Sequence, residues 1–389
     1  MAYSNPKILS YHTSHNASVC YLKDGKIEWM LEEERNTRRK HDHRPYTVIS
    51  KYVEEAVDWI LHSSLIYPDK IEETDALMAI CNDVIAKATN KSKKKRSKRY
   101  SVGDNGHVTT QWVTPGEDLT EFTECSGEHH LYHAALGFYN SGFKEASVLV
   151  VDGAGAWIER CGHEVETIYK ASYPHTFEKI SQGAVPWHTL MDRHTIKDPT
   201  SGIGMLYSGV SAFLGFGTLE CGKLMGLSTY GKEDPNIKPF VVDGRVDESL
   251  WKRNIHGIEL IPYDYIADRS EWMKVLNEET FDFDKCQHLC NLAWRCQKDF
   301  ENYMLALIKK ALEHSNNVVL TGGCALNCVA NYEYLKHLPE GAKLYVEPIS
   351  SDAGISIGMA MHCWRHLTES MDINPIETLY LGPEHEILL

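Results

Sequence analysis

Two histidines and two aspartates, spread over three segments, have the residue types and spacing of a metal site. His129 and His133 stand four residues apart in a segment that reads as a helix, so both imidazoles project from one face. Asp152 follows the apolar run Ala-Ser-Val-Leu-Val-Val, and Asp352 occupies a similar strand-end turn near the C-terminus. Iron, manganese and zinc all accept imidazole together with carboxylate. A His-His-x-x-His segment alone is more often an ordinary helix, so the two aspartates are what favour a metal site; His130 projects to a different side and is interpreted as a neighbour.

Two glycine-rich turns are candidates for binding a phosphate. One is Asp-Gly-Ala-Gly, directly after the first apolar strand, and the other is Thr-Gly-Gly-Cys-Ala-Leu-Asn, after the strand Asn-Val-Val-Leu. Glycine lets backbone N–H groups approach a phosphate closely, although a single such turn is more often structural. An asparagine at the end of the second turn is placed to meet a nucleotide, and a lysine could supply a counter-charge. The candidate nucleotide-binding residues are Gly153, Gly155, Lys223, Gly322, Gly323 and Asn327.

Length and composition predict two lobes, each with its own core. The chain has 389 residues, of which 43% are hydrophobic. It contains no run of about 18 apolar residues, and its first residues lack a signal-peptide pattern, so we expect a soluble, cytoplasmic protein with no membrane partner. The eleven cysteines are scattered through apolar segments without a Cys-x-x-Cys pair, which favours reduced, mostly buried thiols over a disulfide framework.

A short basic run stands out on an otherwise acidic chain. The net charge is −14, yet seven of the nine residues at 91–99 are Lys or Arg, which predicts an exposed, mobile loop. One interpretation is a solvated insertion without a partner. The other is a contact with the phosphates of a nucleic acid, to which Tyr100 and Trp112 could add a stacking surface. The candidate nucleic-acid contacts are Lys93, Lys94, Lys95, Arg96, Lys98 and Arg99.

The same order of elements occurs twice along the chain. Residues 7–34 read as strand, strand, tight Asp-Gly turn and strand, and residues 147–172 repeat this pattern with strands at 147–151, 156–161 and 164–170. Helices are predicted near 47–63 and 204–216, and a long amphipathic helix at about 285–314. Two related halves that place glycine turns at a shared cleft describe a duplicated α/β architecture with a nucleotide between the lobes.

Seven segments, in order, resemble the O-carbamoyltransferases of natural-product and nodulation-factor biosynthesis. They are His-Asn-Ala-Ser at 15–18, Glu-Glu-Glu-Arg-Asn-Thr-Arg-Arg-Lys-His-Asp at 32–42, His-His-Leu-Tyr-His-Ala at 129–134, Asp-Gly-Ala-Gly at 152–155, Gly-Lys-Leu-Met-Gly-Leu-Ser-Thr-Tyr-Gly at 222–231, Gly-Gly-Cys-Ala-Leu-Asn at 322–327 and Asp-Ala-Gly at 352–354. The resemblance runs from about residue 8 to the end. It implies a duplicated RNase-H-like, actin-like fold, shared with the tRNA threonylcarbamoyladenosine transferases. One lobe would cover 1–145, with a basic insertion near 83–112, and the other 146–389.

The resemblance also implies an activity. Members of this family move a carbamoyl group from carbamoyl adenylate, which is made from carbamoyl phosphate and ATP, to a hydroxyl, and they use a bound iron. Residue by residue, it makes His129, His133, Asp152 and Asp352 the metal ligands, with iron as the favoured ion. His15 becomes the candidate general base, because its family equivalent faces the carbamoyl group; a structural histidine is the alternative.

A basic group after the first three strands is a further candidate site, for carbamoyl phosphate or for the acceptor. It comprises Arg35, Arg38, Lys40 and His41, and its alternative interpretation is an ion-paired exit from the hairpin. Family members continue beyond a Leu-Gly-Pro signal into an adenylate-forming domain, whereas this chain reaches Leu381-Gly382-Pro383 and ends at Leu389. That domain is therefore expected to be lost, cut away from this chain or present as a separate protein. In each case we expect little turnover of carbamoyl phosphate by the chain alone, and transfer when a separate adenylating protein is added.

Three function classes stay open at this point: an O-carbamoyltransferase, an idle partner subunit that binds nucleotide, and a threonylcarbamoyl transferase acting on tRNA. The segments at 32–35 and 223–227 favour the first. The basic run suggests a hydroxymethylated base in DNA as the acceptor, because such a base presents a primary alcohol on a polyanion. A small-molecule or sugar hydroxyl is the alternative acceptor.

Overall fold

The computed structural model describes residues 5–43, 45–53, 57–64, 97–102, 108–113, 121–158, 162–185, 202–247, 251–254, 257–260 and 286–383. These residues form a mixed α/β fold. The strands are β1 (Ile8–Thr13), β2 (Ser18–Lys23), β3 (Lys26–Glu32), β4 (Trp59–Ser64), β5 (Ser97–Val102), β6 (Val108–Val113), β7 (Glu121–Glu124), β8 (Glu145–Val151), β9 (Trp157–Ile158), β10 (Gly162–Ser172), β11 (Thr176–Val185), β12 (Val241–Val242), β13 (Arg245–Val246), β14 (Trp251–Asn254), β15 (Gly257–Leu260), β16 (Asn317–Thr321) and β17 (Lys343–Val346). The helices are α1 (Glu33–Thr37), α2 (Tyr46–Tyr52), α3 (His129–Ser141), α4 (Ile203–Phe213), α5 (Cys221–Ser228), α6 (Gln287–Leu312), α7 (Cys328–Leu335) and α8 (Ala353–Thr368).

Two sheets share one pattern of strand neighbours. The first has the order β3-β2-β1-β4-β7, and the second has the order β11-β10-β8-β16-β17, with β9 paired to β10. In each sheet the first three strands are antiparallel neighbours and the last two are added in parallel. β1 and β8 therefore hold equivalent central places.

Alternating side chains on these strands build three cores. In β8, Val148 and Val150 belong to the core shared with α3 and α8, whereas Leu149 and Val151 pack with α4 and α6. β1 alternates likewise, with Leu9 facing α2 on the outer side. The layers follow the order α2, first sheet, α3 with α8, second sheet, and α4 with α6. The two middle helices thus lie between the sheets.

Small residues let α3 and α8 approach closely. A Cβ atom on Gly358 would lie 2.0 Å from the Tyr132 carbonyl oxygen, and one on Gly354 would lie 2.5 Å from Leu136 Cδ2. Such distances are shorter than any van der Waals contact, so both positions need glycine. The close approach brings the first turns of α3 and α8 together.

Serine hydroxyls tie the start of α8 to the first sheet. Ser18 Oγ on β2 donates to the Ala353 carbonyl at 2.8 Å, and Ser10 Oγ on β1 donates to the Ser356 carbonyl at 2.5 Å. All four residues are buried. The C-terminal helix is thereby fixed on strands from the other end of the chain.

Several predicted elements are confirmed, and the helix near 47–63 is corrected. The first three strands, their Asp-Gly turn with φ of 51° and 75°, α4 and α6 agree with the predictions. The helix predicted near 47–63 is wrong in its second half, because α2 ends at Tyr52 and β4 pairs in parallel with β1. A short apolar run such as Trp-Ile-Leu is compatible with a helix or a strand, and here pairing with β1 makes it a strand.

The second repeat of strands is confirmed at its first strand, 147–151 in β8, and at its third, 164–170 in β10, but its hairpin differs from the prediction. Of the predicted second strand, residues 157 and 158 form β9, which pairs with β10, and residues 159–161 lie outside the described residues. The predicted third strand belongs to the long β10. Its hairpin partner is β11, which follows a turn at 173–175 that the sequence reading missed. The Gly162 turn is therefore not the main hairpin of this sheet.

The basic run is described at its C-terminal end alone. Lys93, Lys94, Lys95 and Arg96 lie outside the described residues, while Lys98 and Arg99 belong to β5, which pairs antiparallel with β6. Residues 97–99 therefore form part of a strand, where a loop was predicted. In this pair of strands Lys98 lies opposite Trp112 and Tyr100 lies opposite Thr110. Aromatic and β-branched residues favour strands.

The nine cysteines of the described ranges are all free thiols and six of them are buried, as the prediction of reduced, mostly buried thiols requires. None of the helices found there has the length and apolar character that crossing a membrane requires.

Candidate metal centre

Three elements bring the four predicted ligands together between the sheets. His129 and His133 occupy the first two turns of α3, which confirms the predicted helix. Asp152 directly follows β8, as expected for a strand-end carboxylate. Asp352 differs slightly from the prediction, because it stands at the N-terminal cap of α8, six residues after β17 ends. The ligand atoms of all four side chains lie within 4.8 Å of one another.

The distances fit a single cation. His129 Nε2 lies 3.1 Å from Asp152 Oδ2 and 3.7 Å from Asp352 Oδ1. His133 Nε2 lies 3.7 Å and 3.8 Å from the same two oxygens. Donor atoms that sit 2.0–2.2 Å from one tetrahedral ion are about 3.4 Å apart. The spacing therefore suits an ion held by two imidazoles and two carboxylates.

Burial and protonation describe a site that needs positive charge. Both ring nitrogens of His133 are buried without a hydrogen-bond partner in the described part of the chain. Burial lowers the pKa of His133, but Asp152 and Asp352 outweigh it and raise that pKa to about 9. Burial would raise the pKa of each aspartate, yet the neighbouring histidines hold both carboxyl pKa values well below their usual range. Two ionised carboxylates are thus enclosed, and one of their oxygens, Asp352 Oδ2, accepts no hydrogen bond from the described residues. A divalent cation fits this donor set.

Two histidines, one in β1 and one in the turn between β1 and β2, face Asp352 Oδ2, the carboxylate oxygen away from His129 and His133. His15, the predicted base, lies with Nδ1 3.6 Å from Asp352 Oδ2, and its side chain is 35% exposed. His12, at the end of β1, has Nε2 3.7 Å from the same oxygen and is fully buried. Burial lowers the pKa of His12 to about 4, so its ring is neutral. His15 can meet solvent at the cleft, whereas His12 cannot.

The glycine turns pack around Asp152. Gly153 N donates to Asp152 Oδ1 at 2.7 Å, and a Cβ atom on Gly323 would lie 2.8 Å from that oxygen. Gly322 has φ of 86°, and a Cβ atom there would lie 2.4 Å from the Val151 carbonyl oxygen. Gly155 N donates to the Glu164 carbonyl at 2.8 Å. The structure brings both turns together, and close contacts explain glycine at 155, 322 and 323 but not at Gly153, where a Cβ atom would meet no described atom within 4 Å. Nucleotide binding by these turns stays a prediction.

Asn327 has structural partners on all sides. Its Oδ1 accepts from Ala330 N at 3.1 Å, which caps α7, and its Nδ2 donates to Gln297 Oε1 at 2.9 Å. Tyr207 OH donates to that same Gln297 oxygen at 2.6 Å. A contact between Asn327 and a nucleotide also stays a prediction.

The predicted basic group separates into two parts. Arg35 pairs with Glu32 at 3.8 Å, and Arg38 follows α1 in the left-handed region with an exposed side chain. Binding of carbamoyl phosphate or the acceptor by these two arginines stays a prediction. Lys40, by contrast, pairs with Glu220, which also lies 3.7 Å from His41 Nε2 and 3.2 Å from Lys223.

These contacts join the two halves of the chain. Lys40 and Lys223 together lower the pKa of Glu220 to about 2, so its carboxylate is ionised. The ring of His41 lies 6.1 Å from that of His15, which places this ionic cluster beside the metal centre.

Several supporting residues escaped the sequence reading. Glu33 is buried and accepts from Thr47 N at 2.8 Å and Val48 N at 3.0 Å, which caps α2. Glu164 is buried and accepts from the backbone of His130 at 2.9 Å, beside the ligand-bearing turn. The His-x-x-His spacing at 12–15 was a signal for His12. Glu33 and Glu164 gave none, because acidic residues in charged or strand segments are commonly solvated.

Comparisons with known proteins agree with the resemblance seen in the motifs. The uncharacterized protein sll1178 of Synechocystis is 26% identical, with 95% of this chain and 59% of that protein covered. The nodulation protein NolNO of Sinorhizobium fredii is 22% identical, with 95% and 49% covered. The crystal structure of full-length HypF in the phosphate- and nucleotide-bound form covers 98% of this chain and 57% of its own, with a TM-score of 0.52 at 12% identity, and shows a shared fold.

The chain thus spans about half to three-fifths of the length of these proteins. A family model described as carbamoyltransferase N-terminus matches residues 7–361. Because that match covers most of the sequence, the chain belongs to the carbamoyltransferase family that this N-terminal model defines.

Proposed function

We propose that this chain is the transfer half of an O-carbamoyltransferase, which moves a carbamoyl group from carbamoyl adenylate to an acceptor hydroxyl. The observation that carries the proposal is the cluster of His129, His133, Asp152 and Asp352, with His15 on its exposed side. A divalent ion there, iron in our proposal, would supply an electrophile for the carbonyl or phosphate oxygen of the donor. The family match supports carbamoyl transfer in general.

The proposed fold is a duplicated RNase-H-like, actin-like pair of lobes, with the cleft between them as the nucleotide site. The matching strand order of the two sheets supports the duplication. The division at 145/146 belongs to this proposal, with one qualification: α8, from the second lobe, packs on β1 and β2 of the first. The phosphate and nucleotide bound by HypF support a nucleotide in the shared fold.

His15 is the proposed general base. Its Nδ1 faces Asp352 Oδ2 at 3.6 Å, which leaves Nε2 for the acceptor. As the acceptor oxygen bonds to the carbamoyl carbon, its proton passes to Nε2. The bond from that carbon to the phosphate oxygen breaks, and AMP leaves with the electron pair. An aspartate that orients the base from behind is a common arrangement in acyl transfer.

The ionic cluster supports a site for the donor's phosphate. Lys40, His41 and Lys223 converge on the single carboxylate of Glu220, and both ring nitrogens of His41 lack a hydrogen-bond partner among the described residues. A phosphate that enters this cleft would take the place of the carboxylate. Glu220→Gln should therefore tighten carbamoyl phosphate or ATP binding several-fold in calorimetry, and Lys40→Ala should weaken it. Equal affinities in both variants would place the phosphate elsewhere.

The deciding experiment supplies the donor directly. Iron-loaded protein is mixed with carbamoyl adenylate and a panel of alcohols, and products are scored by mass spectrometry for the gain of one carbamoyl group. We expect transfer by the native chain. In His15→Ala the transfer rate should fall at least about 100-fold, while the metal stays bound. Binding of nucleotide without any transfer would favour the idle partner subunit instead.

A second arm tests the source of the adenylate. With ATP and carbamoyl phosphate alone we expect little product, and addition of a separate adenylating protein should restore transfer. Rapid turnover of carbamoyl phosphate without that protein would contradict this part of the proposal.

We further propose a hydroxymethylated base in DNA as the acceptor. The support is the basic run at 91–99, whose last residues continue into a strand opposite Trp112. Binding to single-stranded DNA should weaken with salt, with a log–log slope of about −0.7 per phosphate contact. Replacing the seven basic residues by Ser should abolish retention and spare the metal. Unchanged acceptor use in that variant would favour a small-molecule or sugar alcohol.

A further inference from the structure

His12 is a buried imidazole without a hydrogen-bond partner in the described part of the chain. It stands in β1 with no exposed surface, and neither Nδ1 nor Nε2 makes a hydrogen bond to a described residue. The polar atom that faces its Nε2 is Asp352 Oδ2, at 3.7 Å. A buried imidazole normally makes a hydrogen bond with at least one ring nitrogen. The orientation of the His12 ring toward Asp352 therefore calls for an explanation.

The two aspartates of the metal centre show what is missing. In Asp152, Oδ2 faces the histidines of α3, while Oδ1 accepts the backbone N–H of Gly153 at 2.7 Å. In Asp352, Oδ1 faces the same histidines at 3.7 Å and 3.8 Å, while Oδ2 is buried and accepts no hydrogen bond from the described residues. The far oxygen of Asp352 thus lacks the donor that the far oxygen of Asp152 has.

We propose that His12 is a positioning residue of the metal centre, whose Nε2–H holds the far oxygen of Asp352 and so directs the near oxygen at the cation. This inference rests on the proposed metal site. Groups that orient a ligating carboxylate or imidazole from behind contribute strongly to metal affinity.

Geometry separates this role from direct ligation and from base catalysis. His12 approaches Oδ2, on the opposite side of the carboxylate from the atom that faces His129 and His133. His15 reaches the same oxygen from the exposed side of the cleft. His12 has no exposed surface for an acceptor, so its effect passes through Asp352.

Two substitutions of His12 test whether a hydrogen-bond donor is needed at the position of Nε2. The amide nitrogen of Gln is as many bonds from Cα as histidine Nε2, whereas that of Asn matches Nδ1. We expect His12→Asn to weaken Co²⁺ or Fe²⁺ binding about 10- to 100-fold in equilibrium dialysis, and His12→Gln to stay within a few-fold of the native chain. Equal affinities in the two variants would overturn the proposal.

A neighbouring buried histidine provides the control. His62 on β4 stacks on Tyr11 at 4.7 Å and is 2% exposed, but it does not face Asp352. His62→Gln should lower the melting temperature of the metal-free protein and leave the affinity unchanged. If His12→Asn behaves in the same way, the role of His12 is structural and the proposal fails.

Spectroscopy distinguishes the remaining outcome. X-ray absorption of the Co²⁺ form should show two imidazole ligands in the native chain and in His12→Asn. Loss of an imidazole in the variant would make His12 a ligand and overturn a positioning role. A native chain that binds no divalent ion would instead contradict the proposed metal site itself.

Discussion

Asp152 and Asp352 face the same two histidines, yet different kinds of structure hold them. Asp152 is held by its immediate neighbours in sequence, since it directly follows β8 and its Oδ1 accepts the N–H of Gly153. Asp352 begins a helix whose position depends on packing against α3 and on serines of the first sheet. One side of the centre is therefore built locally, while the other depends on the contact between the two halves of the chain.

The largest expected effect comes from removing His133, a metal ligand that faces both Asp152 and Asp352. His133→Ala should lower metal affinity at least about 100-fold, because one of four ligands is lost and both carboxylates keep their charge. Elemental analysis after dialysis measures it. His130→Gln is the control, since His130 lies on the same turn but bonds Thr167 Oγ1 at 2.8 Å. Undiminished metal in folded His133→Ala protein would remove His133 from the site.

The next effect is confined to the Asp352 side. Gly358→Ala places a methyl group against the Tyr132 carbonyl and should cost about 3 kcal/mol of unfolding free energy, with weaker metal binding. Gly226→Ala on α5, where a Cβ atom meets nothing within 4 Å, should instead stabilise the fold slightly. Urea denaturation compares the two. Equal stabilities would mean that α8 does not need its close approach to α3.

Acid should loosen the same helix pair at its far end. Burial, with His175, His366 and Arg365, lowers the pKa of His362 on α8 to about 4. A lowered histidine pKa gives stability that is present above about 6.5 and is lost as the pH falls toward 4. From pH 7 to 5 the loss should be about 2 kcal/mol.

His362→Asn isolates this contribution, because its side-chain amide matches the position of Nδ1, which lies 3.5 Å from Tyr139 OH, but does not titrate. The variant should lose about 2 kcal/mol less than the native chain between those pH values, as measured by urea denaturation. Parallel losses in the two proteins would exclude His362 as the titrating group.

The smallest effect compares single hydroxyls on the two sheets. Ser18→Ala should cost about 1 kcal/mol, because the Ala353 carbonyl loses a buried donor at the start of α8. Ser147 on β8 is equally buried, but its Oγ has no partner among the described residues, so Ser147→Ala should be neutral. Thermal melts with and without metal measure both. A larger loss in Ser147→Ala would reverse the comparison.

Local patterns carried much of the prediction. The i, i+4 histidines and the apolar run before Asp152 gave the correct element and face, because side-chain direction follows from helical and strand periodicity. The same reasoning failed at 59–64, where a short apolar run became a strand through its pairing with β1. It also missed β11, whose partly exposed side chains lack a strong alternation.

The sequence by itself determined the donor set of the centre, since the types of His129, His133, Asp152 and Asp352 and the elements that carry three of them are local properties. Tertiary structure alone decided which oxygen of Asp352 faces the histidines, that His12 lies behind that carboxylate, and that Lys40 meets Glu220. The partners in each of these pairs are 180 to 340 residues apart in the sequence, and no periodic pattern relates them. Their meeting depends on how α3 and α8 pack between the sheets, where glycine and serine contacts act over the full length of the chain.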